Sequence, residues 1–155
     1  MSITEAAKQY RARMFPGRPA PFAATDPEFT ERFENFAFDE VPGQDDLGDR
    51  TRFLAILATL LGCQGVDLFR EMVPAALNAG LSPVEIKETV YQAVAYLGMG
   101  RAYPFLKAVN EVLEAQGVSL PLEGQATTTM DTRLSAGNQA QVDIFGEGMR
   151  GFQDS

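Results

Sequence analysis

The chain has 155 residues, 45% of them apolar, with 21 acidic against 13 basic side chains and a net charge of −8. It has no histidine and a single cysteine, Cys63, which excludes Ser-His-Asp and Cys-His catalysis, imidazole metal sites, and any CxxC pair or thiolate zinc site within one chain. The acidic balance argues against nucleic acid or an anionic membrane as a main partner.

The pattern is helical nearly throughout. Ser2 and Glu5 have capping-box spacing ahead of a helix that runs to about Phe15. The opening residues show no continuous apolar stretch, so no signal peptide is expected and a reduced, cytoplasmic setting is the default. Pro16 to Thr25 reads as a loop. Asp26 reads as an N-cap with Pro27 in the first helical position. Phe29, Phe33 and Phe36 then share one helix face, which is expected to pack in the core, and the Pro42-Gly43 turn ends the helix. The next helix opens near Asp49 and carries FLAILATLLG. It is apolar on nearly all sides, which suits the centre of a bundle or a subunit interface. Its longest apolar run, Phe53 to Cys63, is too short to span a bilayer.

A further helix is expected over Val66 to Ala79, packing through Met72, Ala75, Ala76 and Ala79, with Pro74 kinking or breaking it and Gly80 just past its end. Ser82, Pro83 and Glu85 make the clearest helix start in the chain. Ile86, Val90, Ala93, Val94 and Leu97 continue it until Gly98-Met99-Gly100. The following helix spans about Arg101 to Gln116, apolar at Phe105, Leu106, Val109, Val112 and Leu113, and stops at Gly117. Residues 118–130 read as a linker. Asp131 to about Phe145 is a weaker amphipathic helix with Leu134, Val142, Ile144 and Phe145 apolar, and the tail from Gly146 to Ser155 is expected to fray. No β pattern of any length is present. The fold class is all-α, a bundle of six to seven helices. Residues 1–117 form its body, and 131–155 either open a second repeat or serve as an arm that packs in an oligomer.

Four stretches carry a resemblance to a known family. They are Asp49-Arg50-Thr51-Arg52 opening the apolar helix, AALNAG from Ala75 to Gly80, LSPVEIKE from Leu81 to Glu88, and QAVAYLG from Gln92 to Gly98. In order and spacing they resemble the carboxymuconolactone decarboxylase family, which includes the alkyl hydroperoxidase D-type proteins, over about Phe29 to Glu114. The family's redox branch carries a CxxC followed after three residues by a histidine. Those positions fall on Gly65, Leu68 and Met72 here, and the decarboxylase branch's histidine also maps to Met72. Gly100 stands where the family's Y-x-G-x-P has proline. The resemblance therefore implies the fold, while the family's best-known reactive groups are absent. The tail segment Asn138 to Gly146 resembles the short helix with which many family members begin, and it echoes Lys8 to Phe15 at Gln9/Gln139 and Phe15/Phe145.

Several side chains are candidates for chemistry. Arg50 and Arg52 open the most apolar helix and suit a substrate carboxylate, or else ion pairs with Asp45, Asp46, Asp49 or Glu71. Tyr96 with Gln92 four residues before it, and Tyr91 alongside, line either a pocket or the core. Glu71, next to the lost histidine position, is a carboxylate that acts as a base if burial raises its pKa. Cys63 is either a small buried hydrophobe or a reactive thiol. The pairs Glu31/Glu34, Glu85/Glu88 and Glu111/Glu114 read as solvated faces. Gly146 to Gly151 matches GxGxxG without a preceding strand, so it is a chance match. No metal and no cofactor is implied. The resemblance implies a cofactor-free lyase on a small carboxylated lactone or related metabolite, with Arg50 or Arg52 holding the carboxylate and Tyr96 or Glu71 moving a proton. The alternatives are a non-catalytic oligomeric scaffold or ligand binder, and a thiol peroxidase relying on Cys63. A homo-oligomer, trimer or hexamer, is expected on the same ground.

Overall fold

A computed structural model describes residues 2–153. Among them there are seven α-helices and no strand: α1 (Glu5–Met14), α2 (Pro27–Asn35), α3 (Asp49–Gly62), α4 (Val66–Asn78), α5 (Pro83–Leu97), α6 (Met99–Ala115) and α7 (Arg133–Phe145). A π-helical turn, Phe36–Glu40, continues α2, and short 3-10 runs cover Pro42–Gln44 and Glu147–Gln153. The chain divides into two compact units, residues 1–122 and 123–155. No helix among the described residues is long and apolar enough to cross a membrane.

The first unit is built on α3, α4, α5 and α6. Helix α3 packs on α4 and α5, and α6 packs on α4 and α5. Phe53, Leu57 and Leu61 of α3 meet Phe69, Val73 and Ala76 of α4 in one core, completed by Ile86, Val90, Phe105, Val109 and Leu113. Phe69 and Phe105 meet edge to face with centroids 5.1 Å apart, the arrangement that aromatic quadrupoles favour. Helix α4 runs through Pro74 as one element, so the proline causes no break; the ring removes only the N–H that would have reached Arg70.

Local chemistry sets the helix ends. Ser82 and Glu85 close a full capping box. Replacing Ser82 with Ala is expected to cost about 1 kcal/mol and to lower the melting midpoint by roughly 3 °C; an unchanged midpoint would show that Pro83 and packing alone hold this start. Gly80 and Gly98 adopt φ of +91° and +79°, which a side chain disfavours. Gly98 by itself separates α5 from α6.

The N-terminal region departs from expectation. Thr4, not Ser2, caps α1, accepting from the Ala7 amide at 3.1 Å. The Ser2 carbonyl instead accepts from Asn35 Nδ2, while Asn35 Oδ1 accepts from the Thr4 amide. Asp26 precedes α2 but makes no side-chain cap; Thr25 donates to it. Helix α2 buries Thr30, Glu34 and Asn35, and leaves Phe29, Phe33 and Phe36 at 61%, 44% and 56% exposure. The phenylalanine stripe is therefore not core. The inner face of α2 is polar because it meets the open backbone groups and the arginine of the α1 segment.

In the second unit α7 is followed by a 3-10 run, Glu147–Gln153, in which Arg150 pairs with Glu147; Asp154 and Ser155 lie outside the described residues. Val142 is buried, whereas Leu134, Ile144 and Phe145 are exposed.

Candidate functional site

A cavity of about 280 Å³ opens between the loop after α1, α2 with its π turn, and α4. Its lining is mostly apolar: Phe15, Phe22, Phe29, Phe33 and Phe38 face Leu68 and Met72. Four ionisable groups join them, Arg11, Arg18, Glu34 and Glu71.

Arg11 and Glu34 form the polar heart. Arg11 Nη1 lies 2.6 Å from Glu34 Oε1, and the two side chains are 17% and 4% exposed. The Arg11 guanidinium also sits 5.2 Å from the Phe15 ring centroid and 5.9 Å from that of Phe38, within cation–π range. The π turn is what brings Phe38 inward. Its wider helical turn, closed by the Val41 amide on the Phe36 carbonyl at 2.9 Å, turns Phe38 inward, while Phe36 faces outward. Phe38 stacks on Tyr10 at 5.7 Å and 16°. Tyr10 in turn donates to Asp49 at 2.8 Å, tying α1 to the start of α3; burial first, and Asp49 second, push its phenol up to about 12.

Burial also raises the Glu34 carboxyl above the usual glutamate value, opposed by the charge and hydrogen bond of Arg11. A carboxyl of that kind, in an apolar wall, can hold a proton that solvated glutamates have lost, and can hand it to a bound molecule. Glu34 is thus not the solvated side chain that its spacing from Glu31 suggests. Arg11 and Arg18 escaped the sequence reading because nothing local ties them to α2 or α4. The one signal is Glu34 itself, a carboxylate on α2 next to the phenylalanine stripe.

The residues singled out from sequence do not gather at one place. Glu71 lines the cavity, half exposed and paired with Arg18 at 3.1 Å. Tyr96 and Gln92 line a shallower groove with Ala58, Leu61 and Gly62 between α3 and α5. Tyr96 is 89% exposed, and Gln92 reaches Glu88 at 3.5 Å. Tyr91 is exposed, with Lys87 5.6 Å from its ring centroid. Arg50 binds the Gly80 carbonyl and Glu85, and Arg52 holds Asp45 at 2.9 Å and the Leu47 carbonyl at 3.0 Å. Both arginines are therefore engaged by the fold. Cys63 is exposed at the end of α3, 3.6 Å from the Leu60 carbonyl, and is not a buried hydrophobe.

The all-helical bundle matches the fold that the resemblance implies. The family model for the carboxymuconolactone decarboxylase family matches residues 27–111, and the chain belongs to that family. Among curated relatives, the 4-carboxymuconolactone decarboxylase of Acinetobacter baylyi (strain ATCC 33305 / BD413 / ADP1) is 28% identical over 96 residues, 59% of this chain and 72% of that protein. Leu68 and Met72, where the family's redox branch has a cysteine and a histidine, both form the cavity wall. Glu34 and Glu71 fall within the matched residues, while Arg11 and Arg18 precede them.

Proposed function

We propose that the chain is a cofactor-free lyase that removes carbon dioxide from a small, largely apolar acid held in the cavity beside α4. The observation that carries this reading is the buried Glu34–Arg11 pair set into an apolar wall. The 28% identical relative is named for a decarboxylation, which supports the reaction class. In the proposed step the C–COO⁻ bond breaks and carbon dioxide leaves. The electron pair stays on the substrate carbon, Glu34 gives that carbon its proton, and water re-protonates Glu34. An apolar site favours loss of the carboxylate because the charge disperses as the bond lengthens. Glu34 here takes the part of acid that the missing histidine leaves open. Self-association belongs to the same proposal, supported by the exposed Tyr96, Met99 and Tyr103 of α5 and α6.

The test is carbon dioxide release from a panel of small carboxylated lactones, keto acids and aromatic acids, with no cofactor added. Release from at least one compound, blocked when Leu68→Trp fills the cavity, is the expected result. Release that Leu68→Trp leaves intact would put the chemistry outside this cavity, and none from any compound would turn the reading to a ligand-binding protein.

A further inference from the structure

The two ion pairs that line the cavity differ in kind. Arg11 and Glu34 are buried, and separating them leaves a charge in an apolar wall. Arg18 and Glu71 are 48% and 51% exposed, and their contact is Nη1 to Oε2 at 3.1 Å. An exposed pair of this geometry contributes little to stability and opens readily.

The backbone under Arg18 is nonetheless fixed. Its amide donates to the Phe15 carbonyl at 3.1 Å, and its carbonyl faces Arg11 Nη2 at 3.5 Å. Gly17, at φ +70°, makes the turn that leads into it, and Pro19 follows, where the ring restricts the chain. The loop thus offers a guanidinium from a set position, while the head group keeps freedom to change partners. Arg11 has no such freedom.

We infer that Arg18 receives the carboxylate of a ligand whose apolar body fills the cavity, and that Glu71 is the internal competitor that the ligand displaces. The inference rests on the proposed use of this cavity as the site. The ligand class is then an aromatic or alicyclic carboxylic acid, with its charged end at the rim and its ring among Phe22, Phe29, Phe33 and Leu68. Guanidinium and carboxylate match in planar geometry, which supports the assignment. Glu71 thereby has a role distinct from that of a base: it holds Arg18 in place and lowers affinity until an acid arrives.

The experiment is calorimetric titration of 2-naphthoate and its neutral counterpart 2-naphthamide into the full chain, the Arg18→Gln variant and the Glu71→Gln variant. Both substituted residues are half exposed, so both variants are expected to fold. Arg18→Gln is expected to weaken 2-naphthoate by roughly ten- to a hundredfold, the loss of a charged hydrogen bond. Glu71→Gln is expected to tighten it by roughly two- to fivefold, the release of an exposed pair. Binding of 2-naphthamide should be the same in all three proteins. Affinity for 2-naphthoate that ignores both substitutions, with 2-naphthamide still bound, would overturn the role of Arg18 while leaving the cavity reading in place. Binding of neither compound would overturn both.

Discussion

Glu34→Gln is expected to slow carbon dioxide release by about 10²- to 10⁴-fold, the range supplied by a positioned acid or base. The amide keeps the shape of the side chain, and its oxygen still accepts from the Arg11 guanidinium, so the contact at 2.6 Å survives as a hydrogen bond from a charged donor to a neutral acceptor. What is lost is the transferable proton. The effect should appear in kcat with KM nearly unchanged, because the proton reaches the substrate carbon only in the transition state. The pH dependence has a definite sign. Burial raises the Glu34 carboxyl, so its acid form persists to higher pH than in a solvated glutamate and is lost as pH rises through that raised value. Turnover limited by this proton therefore falls on the alkaline side. A bound carboxylate and the water it expels disfavour the Glu34 anion further, which moves the fall to still higher pH in the complex. The substitution should remove that limb of the profile along with the activity. A Glu34→Gln enzyme within a few-fold of the unaltered protein would show that the proton comes from elsewhere.

Much of the bundle is legible in the sequence because its determinants are local. A capping box at Ser82 and Glu85, and glycines at 80, 98 and 117, act within a few residues of the boundaries they set. The packing faces of α5 and α6 follow from spacing alone, since most of the apolar residues named for them enter the core or pack against it. Helix α2 defeats the same logic. Its phenylalanines have regular amphipathic spacing, yet the face that turns inward carries Thr30, Glu34 and Asn35. That choice depends on what lies opposite: Asn35 meets the Ser2 and Thr4 backbone, and Glu34 meets Arg11. No window of sequence contains both partners, which stand 23 or more positions apart. The π turn adds a second obstacle, because a five-residue hydrogen-bonded turn shifts the register after Phe36 and sends Phe38 inward. Only fragments of the cavity are legible in the sequence: the family's cysteine and histidine positions fall on Leu68 and Met72, and both line it, as do Phe29, Phe33, Glu34 and Phe38 of the matched stretch, but Arg11, Phe15 and Arg18 precede that stretch.

Arg11→Met is expected to destabilise the first unit by about 3 kcal/mol at pH 7, the low end of what breaking a buried ion pair costs. The low end applies because the pair borders a cavity that admits water. Methionine keeps apolar packing against Phe15 and Phe38 but gives up the two cation–π contacts, so the charge left on Glu34 is the larger part of the loss and the rings the smaller. For a chain of this length that is roughly a 10 °C fall in melting midpoint. The sign with pH is again set by Glu34. Its carboxyl is raised in the folded state, and without Arg11 the opposing influence is gone, so it rises further. A raised carboxyl favours folding below its unfolded pKa, and that contribution is lost as pH rises through the folded value. The Arg11→Met protein should therefore recover much of its stability at mildly acidic pH, where Glu34 takes a proton. Replacing both partners, as Arg11→Met with Glu34→Leu, removes the stranded charge and fills the wall with apolar volume. The double variant should melt close to the unaltered protein or above it, since a well-packed apolar substitute for a buried ion pair is often neutral or better. A double variant as weak as Arg11→Met alone would mean that Arg11 acts through its other contacts, the Phe15 and Phe38 rings and the Arg18 carbonyl. Recovery of stability with complete loss of turnover is the combination expected of a pair kept for chemistry at a cost in stability.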